Sequence, residues 1–212
     1  MKLYHYVHCP FCVRVRMGLG FLNKDYESVV LPYNDEATPV AKTSVKMLPI
    51  LEVNQKAQNE SLDILKSLDT KNLLKWQMLE VKKAEIDDLI KRVGDPVHSL
   101  CTPYWAWTPE FDSAARAYYQ AKREKKRGPF KELIKNKDSF QKELNLILNN
   151  DIEPNLQPFY KSQEFSIVDI MIASHLWGMY IFPEFQFGPK MHHYLQTVKT
   201  LTKFDYHQDF WK

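Results

Sequence analysis

The feature that most constrains this chain is Cys9-Pro10-Phe11-Cys12, which follows a short Tyr-rich run and precedes a helical one. Leu3 to Val7 reads as a strand. Pro10 lacks an N–H that the first turn of a helix would leave unpaired anyway, so it suits the opening of a helix running to about Leu22. A cysteine at such a junction sits where free amides and the helix dipole favour a thiolate. Cys9 is then a nucleophile, and Cys12, one turn further on, is placed to displace a product from it. The chain has 212 residues and three cysteines, of which Cys101 stands alone. An odd, clustered set does not suit the even framework of a stapled secreted domain, and a reducing compartment is expected. The competing reading of Cys9 and Cys12 is half of a zinc site. A structural zinc wants four ligands, and neither a second Cys-x-x-Cys nor a His-x-x-x-His follows, so no metal is expected.

The first 75 residues alternate extended and helical runs. Tyr26 to Leu31 suits a second strand, and Ile50 to Val53, after Pro49, a third. Leu62, Leu65 and Leu68 mark a helix beginning at Ser61. Residues 54–59 make a weak hairpin to a fourth strand, with no Asn-Gly or Asp-Gly turn. From about residue 76 the pattern is helix after helix: Leu79, Ile86, Leu89, Ile90 and Val93 mark one face, and Phe140, Leu144, Ile147 and Leu148 another. Ser166-Ile167-Val168-Asp169 is a capping-box start to a further apolar helix. The expected division is an α/β domain over 1–72 and an all-α domain over 80–212, with a linker near Thr70 to Leu79.

Two further stretches carry chemistry. Pro49 at the start of a strand costs no ladder donor. A cis Leu48–Pro49 bond would turn the Leu48 backbone outward for an extended thiol-peptide to pair with, whereas the local sequence alone favours an ordinary trans turn proline. Ser61 reads first as an N-cap; with the free amides of its helix it also suits a carboxylate, and Glu60 an ammonium group. His8, Arg14 and Arg16 would add to thiolate stabilisation if their side chains faced the sulfur, but His8 reads first as a surface or packing residue, Arg14 and Arg16 as the solvated face of their helix, and Cys101 as a small buried hydrophobe.

Net charge is +3, which by itself selects no partner, but residues 116–142 hold ten Lys and Arg against three Asp and Glu. This run reads as a solvated helix face, and no nucleic-acid partner is expected. No apolar run approaches the roughly 18 residues of a membrane span, and no membrane association is expected.

Together, Cys9-Pro10-Phe11-Cys12, Leu48-Pro49-Ile50 and Glu60-Ser61, at these separations and ahead of a helical domain, resemble the glutaredoxin-2-type proteins, which are glutaredoxins with a glutathione-transferase-like architecture. Met1-Lys2-Leu3-Tyr4, the Asn34-Asp35 and Thr38-Pro39 loop, Lys46 and Ser61-x-Asp63-Ile64 extend the match through the first domain. The helical half matches by length, helix count and its capping box. The departures are Phe11 where Tyr is more usual, Ser44 where a Gly is expected, and a divergent C-terminal half that includes Phe210-Trp211.

The resemblance implies a thioredoxin-like domain of four strands packed on an all-α domain, with glutathione as co-substrate. It implies Cys9 as nucleophile, Cys12 as resolving thiol, a cis Pro49, Leu48 as backbone partner of the glutathione cysteinyl unit, and Glu60 with Ser61 as the γ-glutamyl site. Pro10 and Phe11 belong to the substrate-binding set. The expected activity is glutathione-dependent reduction of protein disulfides and glutathionylated proteins by a cytoplasmic monomer. The alternatives are a cysteine-dependent glutathione transferase with dehydroascorbate-type reductase activity, against which Cys12 argues, and a non-enzymatic glutathione-transferase-like binding protein.

Overall fold

A computed structural model describes residues 1–207; Phe210-Trp211 lie outside the described residues. Strands β1 (Lys2–His5), β2 (Glu27–Val30), β3 (Ile50–Val53) and β4 (Lys56–Gln58) form one mixed sheet in the order β2-β1-β3-β4. β1 pairs parallel with β2, Leu3 opposite Ser28, and antiparallel with β3, Leu3 opposite Leu51. Parallel β1 and β2 require a crossover, which is helix α1 (Pro10–Phe21). The hairpin between β3 and β4 turns on Asn54 and Gln55, with φ of 50° and 64°. A two-residue turn with both φ positive matches the strand twist without glycine, because Asn tolerates that region. β1 ends at His5, short of Val7, because the chain turns there toward the dithiol.

Among the described residues the further α-helices are, in chain order, α2 (Ala37–Thr43), α3 (Ser61–Leu68), α4 (Trp76–Val81), α5 (Lys83–Trp105), α6 (Ser113–Arg127), α7 (Phe130–Lys135), α8 (Lys137–Ile147), α9 (Ile167–Leu176) and α10 (Pro189–Thr202). Residues 37–43, read from sequence as a loop around Thr38-Pro39, are helical. α2 ends on Ser44 at φ 64°, so a serine takes the left-handed conformation for which glycine is the usual choice. The stretch from Thr70 to Leu79 is tied rather than slack. The Asp69 carboxylate accepts from the amides of Leu73 and Leu74, at 2.7 and 2.8 Å, and from the Trp76 indole at 2.9 Å.

All ten residues of α9 are buried, as an all-round apolar helix at the centre of a core must be. Its capping box is complete. Asp169, itself buried, accepts from the Ser166 amide and also from the Tyr160 amide and the Tyr194 hydroxyl, so no buried donor around it is orphaned. α1 packs on α9 and α10 on one side and on α3 on the other. Two glycines permit this closeness. A Cβ on Gly20 would lie 1.8 Å from the Thr202 carbonyl oxygen at the end of α10, and one on Gly18 would lie 2.3 Å from a Leu65 methyl on α3.

These neighbours differ in what they can yield, since a side-chain tip moves and a main-chain carbonyl does not. Gly20→Ala is expected to cost about 3 kcal/mol or more, and Gly18→Ala about 1 kcal/mol net of the better helix propensity of Ala. Urea unfolding of the two variants checks this, and equal midpoints would contradict it.

Candidate active site

Cys9 is the N-cap residue of α1, with Pro10 next to it at the first helical position, and the Cys9 carbonyl accepts from the Val13 amide at 2.9 Å. Cys9 is half-buried at the mouth of a cleft, whereas Cys12 is fully buried; both are free thiols. The Tyr6 amide points at the Cys12 sulfur at 3.4 Å. A hydrogen bond from the Cys12 thiol holds the Cys9 thiol down to about 6, aided by the charge of His8 and by the amides of Cys12 and Phe11, against the opposing effect of burial. Burial pushes Cys12 the other way, well above the ordinary thiol range, and the negative charge on Cys9 adds to it. One turn of helix therefore carries two thiols of opposite character, an open one poised as thiolate and an enclosed one poised as thiol.

The Leu48–Pro49 bond is cis. Cys9, Pro10, Phe11 and Leu48 line a cleft of about 500 Å³ between the sheet domain and helices α5 and α6. Phe11, Leu48, Pro49, Glu60 and Ser61 line an adjoining cavity of about 190 Å³, so the exposed Phe11 ring stands between the two. Phe11 lies edge-on to His175 of α9, whose imidazole burial holds down to about 3, so the contact is one of neutral packing.

Ser61 does not cap α3. Glu60 is the N-cap residue, at φ 67° and without a side-chain capping bond, and Ser61 follows as the first helical residue. The Ser61 hydroxyl instead accepts from the Arg14 guanidinium at 3.0 Å. Arg14 and Arg16 are buried, not solvated, because α1 is covered on both sides. The Arg14 guanidinium lies 5.0 Å from the centre of the Phe11 ring and that of Arg16 lies 4.8 Å from Phe204, so each charge is set against an aromatic ring. Arg14 joins Glu60, Ser61 and Asp63 in the wall of a third small cavity.

Other site residues carry no local signal in the sequence. Glu110, in the connection between α5 and α6, is buried and accepts from the His8 amide at 3.1 Å and bonds the His8 Nδ1 at 2.5 Å. Arg123, Lys126 and Arg127 of α6 line the cleft that Cys9 opens into, so part of the basic run faces the site instead of bulk solvent. Cys101 is fully buried beside the Met179 sulfur, and burial pushes its thiol well up. Among the described residues no group of three or more His, Cys, Asp or Glu is arranged to hold a metal ion, and no helix is long and apolar enough to cross a membrane.

A cis-proline loop facing a Cys-Pro-Phe-Cys turn at a helix N-terminus, on a four-stranded mixed sheet backed by a helical domain, defines a thioredoxin-like dithiol protein of glutathione-transferase-like architecture. The family description "Glutaredoxin 2, C terminal domain" matches residues 85–210, and "Glutathione S-transferase, N-terminal domain" matches residues 3–75. The chain belongs to the glutaredoxin 2 family, the glutathione-dependent glutaredoxins of this architecture. Glutaredoxin 2 of Escherichia coli K12 is 33% identical over 151 residues, 68% of each chain. The crystal structure of glutaredoxin 2 from Salmonella typhimurium in complex with glutathione superposes with a TM-score of 0.85 at 30% identity, covering 96% of this chain and 95% of that one. Glutathione transferase GSTFuA2 from Phanerochaete chrysosporium, at 16% identity and a TM-score of 0.75 over 96% of this chain and 98% of its own, shares the fold.

Because the thiolate is the reactive form, alkylation of Cys9 by iodoacetamide is expected to rise through a midpoint near pH 6 and to flatten above about pH 7, where an ordinary thiol of pKa about 8.5 is still mostly protonated. Cys12→Ala removes the hydrogen bond to that thiolate and should move the midpoint upward. A wild-type midpoint near 8.5 would contradict this account of the site.

Proposed function

We propose that the chain reduces glutathione mixed disulfides and protein disulfides through Cys9, with Cys12 as the resolving thiol and glutathione as the electron donor. The observation that carries the reading is the pairing of an accessible Cys9 poised as thiolate with an enclosed Cys12 poised as thiol. With a glutathionylated substrate, the Cys9 thiolate attacks the glutathione sulfur; the substrate leaves as a thiolate and takes up a proton. A second glutathione thiolate then attacks the Cys9–glutathione disulfide, which releases oxidised glutathione and returns Cys9 to its thiolate form. With a protein disulfide, Cys9 attack leaves one mixed disulfide and one free thiol. Cys12 gives up its proton and attacks the Cys9 sulfur, releasing the reduced protein and leaving a Cys9–Cys12 disulfide that two glutathiones reduce.

In this reading Leu48 pairs its backbone with the cysteinyl unit of glutathione beside Pro49, and Pro10 and Phe11 wall the disulfide. The γ-glutamyl end, with its carboxylate and ammonium groups, lies at Glu60 and Ser61, where the buried Arg14 orients the Ser61 hydroxyl and adds a positive charge. Arg123 and Lys126 give the far wall of the cleft a positive field, which favours anionic substrates. The protein acts as a monomer in the reducing cytoplasm. Family membership disfavours both a cysteine-dependent transferase and a non-enzymatic binding protein.

Glutathione-coupled turnover of a small mixed disulfide tests this reading. Cys9→Ser should abolish it, and Cys12→Ser should keep turnover of the mixed disulfide while losing the dithiol cycle on protein disulfides. Turnover surviving in Cys9→Ser would overturn the proposal. Ser61→Ala removes one hydrogen bond to the bound peptide, worth about 1 kcal/mol, so the KM for glutathione should rise by about fivefold with kcat little changed.

A further inference from the structure

From the helical half, Glu110 hydrogen-bonds the residue that directly precedes Cys9. The Glu110 carboxylate is buried, and one of its oxygens takes both the His8 amide, at 3.1 Å, and the His8 Nδ1, at 2.5 Å. Its other oxygen has no hydrogen-bond partner among the described residues. A buried carboxylate half unsatisfied is costly, and the two contacts to His8 are what hold it ionised: burial raises Glu110, and the hydrogen bonds and charge of His8 more than offset it. The main-chain oxygen of Glu110 also accepts from the Tyr33 amide at 3.2 Å, so the same residue is fastened to the sheet domain twice. His8 directly precedes Cys9 and is enclosed by the rings of Tyr6, Tyr33, Trp105, Phe111 and Tyr119, all centred within 5.8 Å of its own. An ionised Glu110 against Nδ1 requires a proton on that nitrogen, which fixes the orientation of the ring.

We infer that Glu110 is a positioning residue for the reaction: from the helical domain it holds His8 in place as the counter-charge of the Cys9 thiolate. This rests on the proposed role of Cys9 as nucleophile. The other titratable groups around His8 do not compete for the part. Tyr6, Tyr33 and Tyr119 are pushed up by burial and stay neutral, and burial pushes His98 of α5 well down, also to its neutral form. Lys46 lies 5.5 Å from the centre of the Tyr33 ring and the Arg123 guanidinium 5.3 Å from that of Tyr119, each set against a ring of the cage. Cys12 feels Glu110 directly and is raised by it. The one carboxylate thus separates the two thiols, favouring charge on Cys9 through His8 and opposing it on Cys12.

Glu110→Gln keeps the shape and an acceptor for the His8 amide but removes the charge. The pH midpoint of Cys9 alkylation should move up by about 1 unit, which lowers the alkylation rate at pH 5 about tenfold. Glu110→Asp should restore part of that shift. In a His8→Phe background, which suits the aromatic cage, the midpoint should already be raised and Glu110→Gln should add nothing. A Glu110→Gln protein that melts as a folded domain with an unchanged midpoint overturns the inference, as does an equal shift in the presence and absence of His8. If Glu110→Gln does not fold, His8→Phe alone decides, and an unchanged midpoint there rejects the role of His8. Alkylation requires no glutathione, so loss of this inference is read separately from loss of glutathione-coupled turnover in the wild type.

Discussion

Helix α1 has to be covered on both sides while its first turn stays open, and most of the architecture answers that demand. The sheet it crosses over cannot bury it alone. Helix α3 covers one flank, close enough to need Gly18, and α9 and α10 cover the other, close enough to need Gly20. Covering the helix pins the amides and dipole of its N-terminus in place, and a thiolate is stabilised only where those groups are fixed relative to the sulfur. The 500 Å³ cleft is what remains uncovered at that end.

The same enclosure brings charged groups out of water, and the pattern of their partners explains the site. Arg14 is buried against Ser61 and the exposed Phe11 ring, and Arg16 against Phe204, while Glu110 is buried with His8. Removing His8 would leave the buried Glu110 carboxylate without its partner, which is costly, so these two groups are mutually conditional. Two of these sets border the dithiol turn, one through Ser61 of α3 and one through Glu110 of the helical domain. The helical domain therefore supplies buried and cleft-lining charges to the surroundings of the dithiol turn.

What could be read from sequence was what local physics decides. Ile50–Val53 and the start of α3 followed from Pro49 and from leucine spacing, and the Ser166–Asp169 capping box from its own four residues. The dithiol turn was legible because Cys-Pro-x-Cys acts through its own helix. The misreadings were long-range. Arg14 and Arg16 look solvated on a helix considered alone and become buried only when α9 and α10 arrive. Ser61 looks like a cap until Arg14 takes its hydroxyl. Glu110 is separated from His8 by 102 residues, and nothing in Thr108-Pro109-Glu110-Phe111 announces that pairing. The turn at Asn54-Gln55 gives only a weak local signal because only one of its two residues favours positive φ.

The most direct test of the central claim, that Cys9 is the glutathione-coupled nucleophile, is to trap the first covalent intermediate. Incubated with oxidised glutathione, the full-length Cys12→Ser protein should accumulate a single glutathione, which peptide mass spectrometry should place on Cys9, with the buried Cys101 unmodified. A protein left unmodified, or carrying its glutathione on Cys101, would contradict the account.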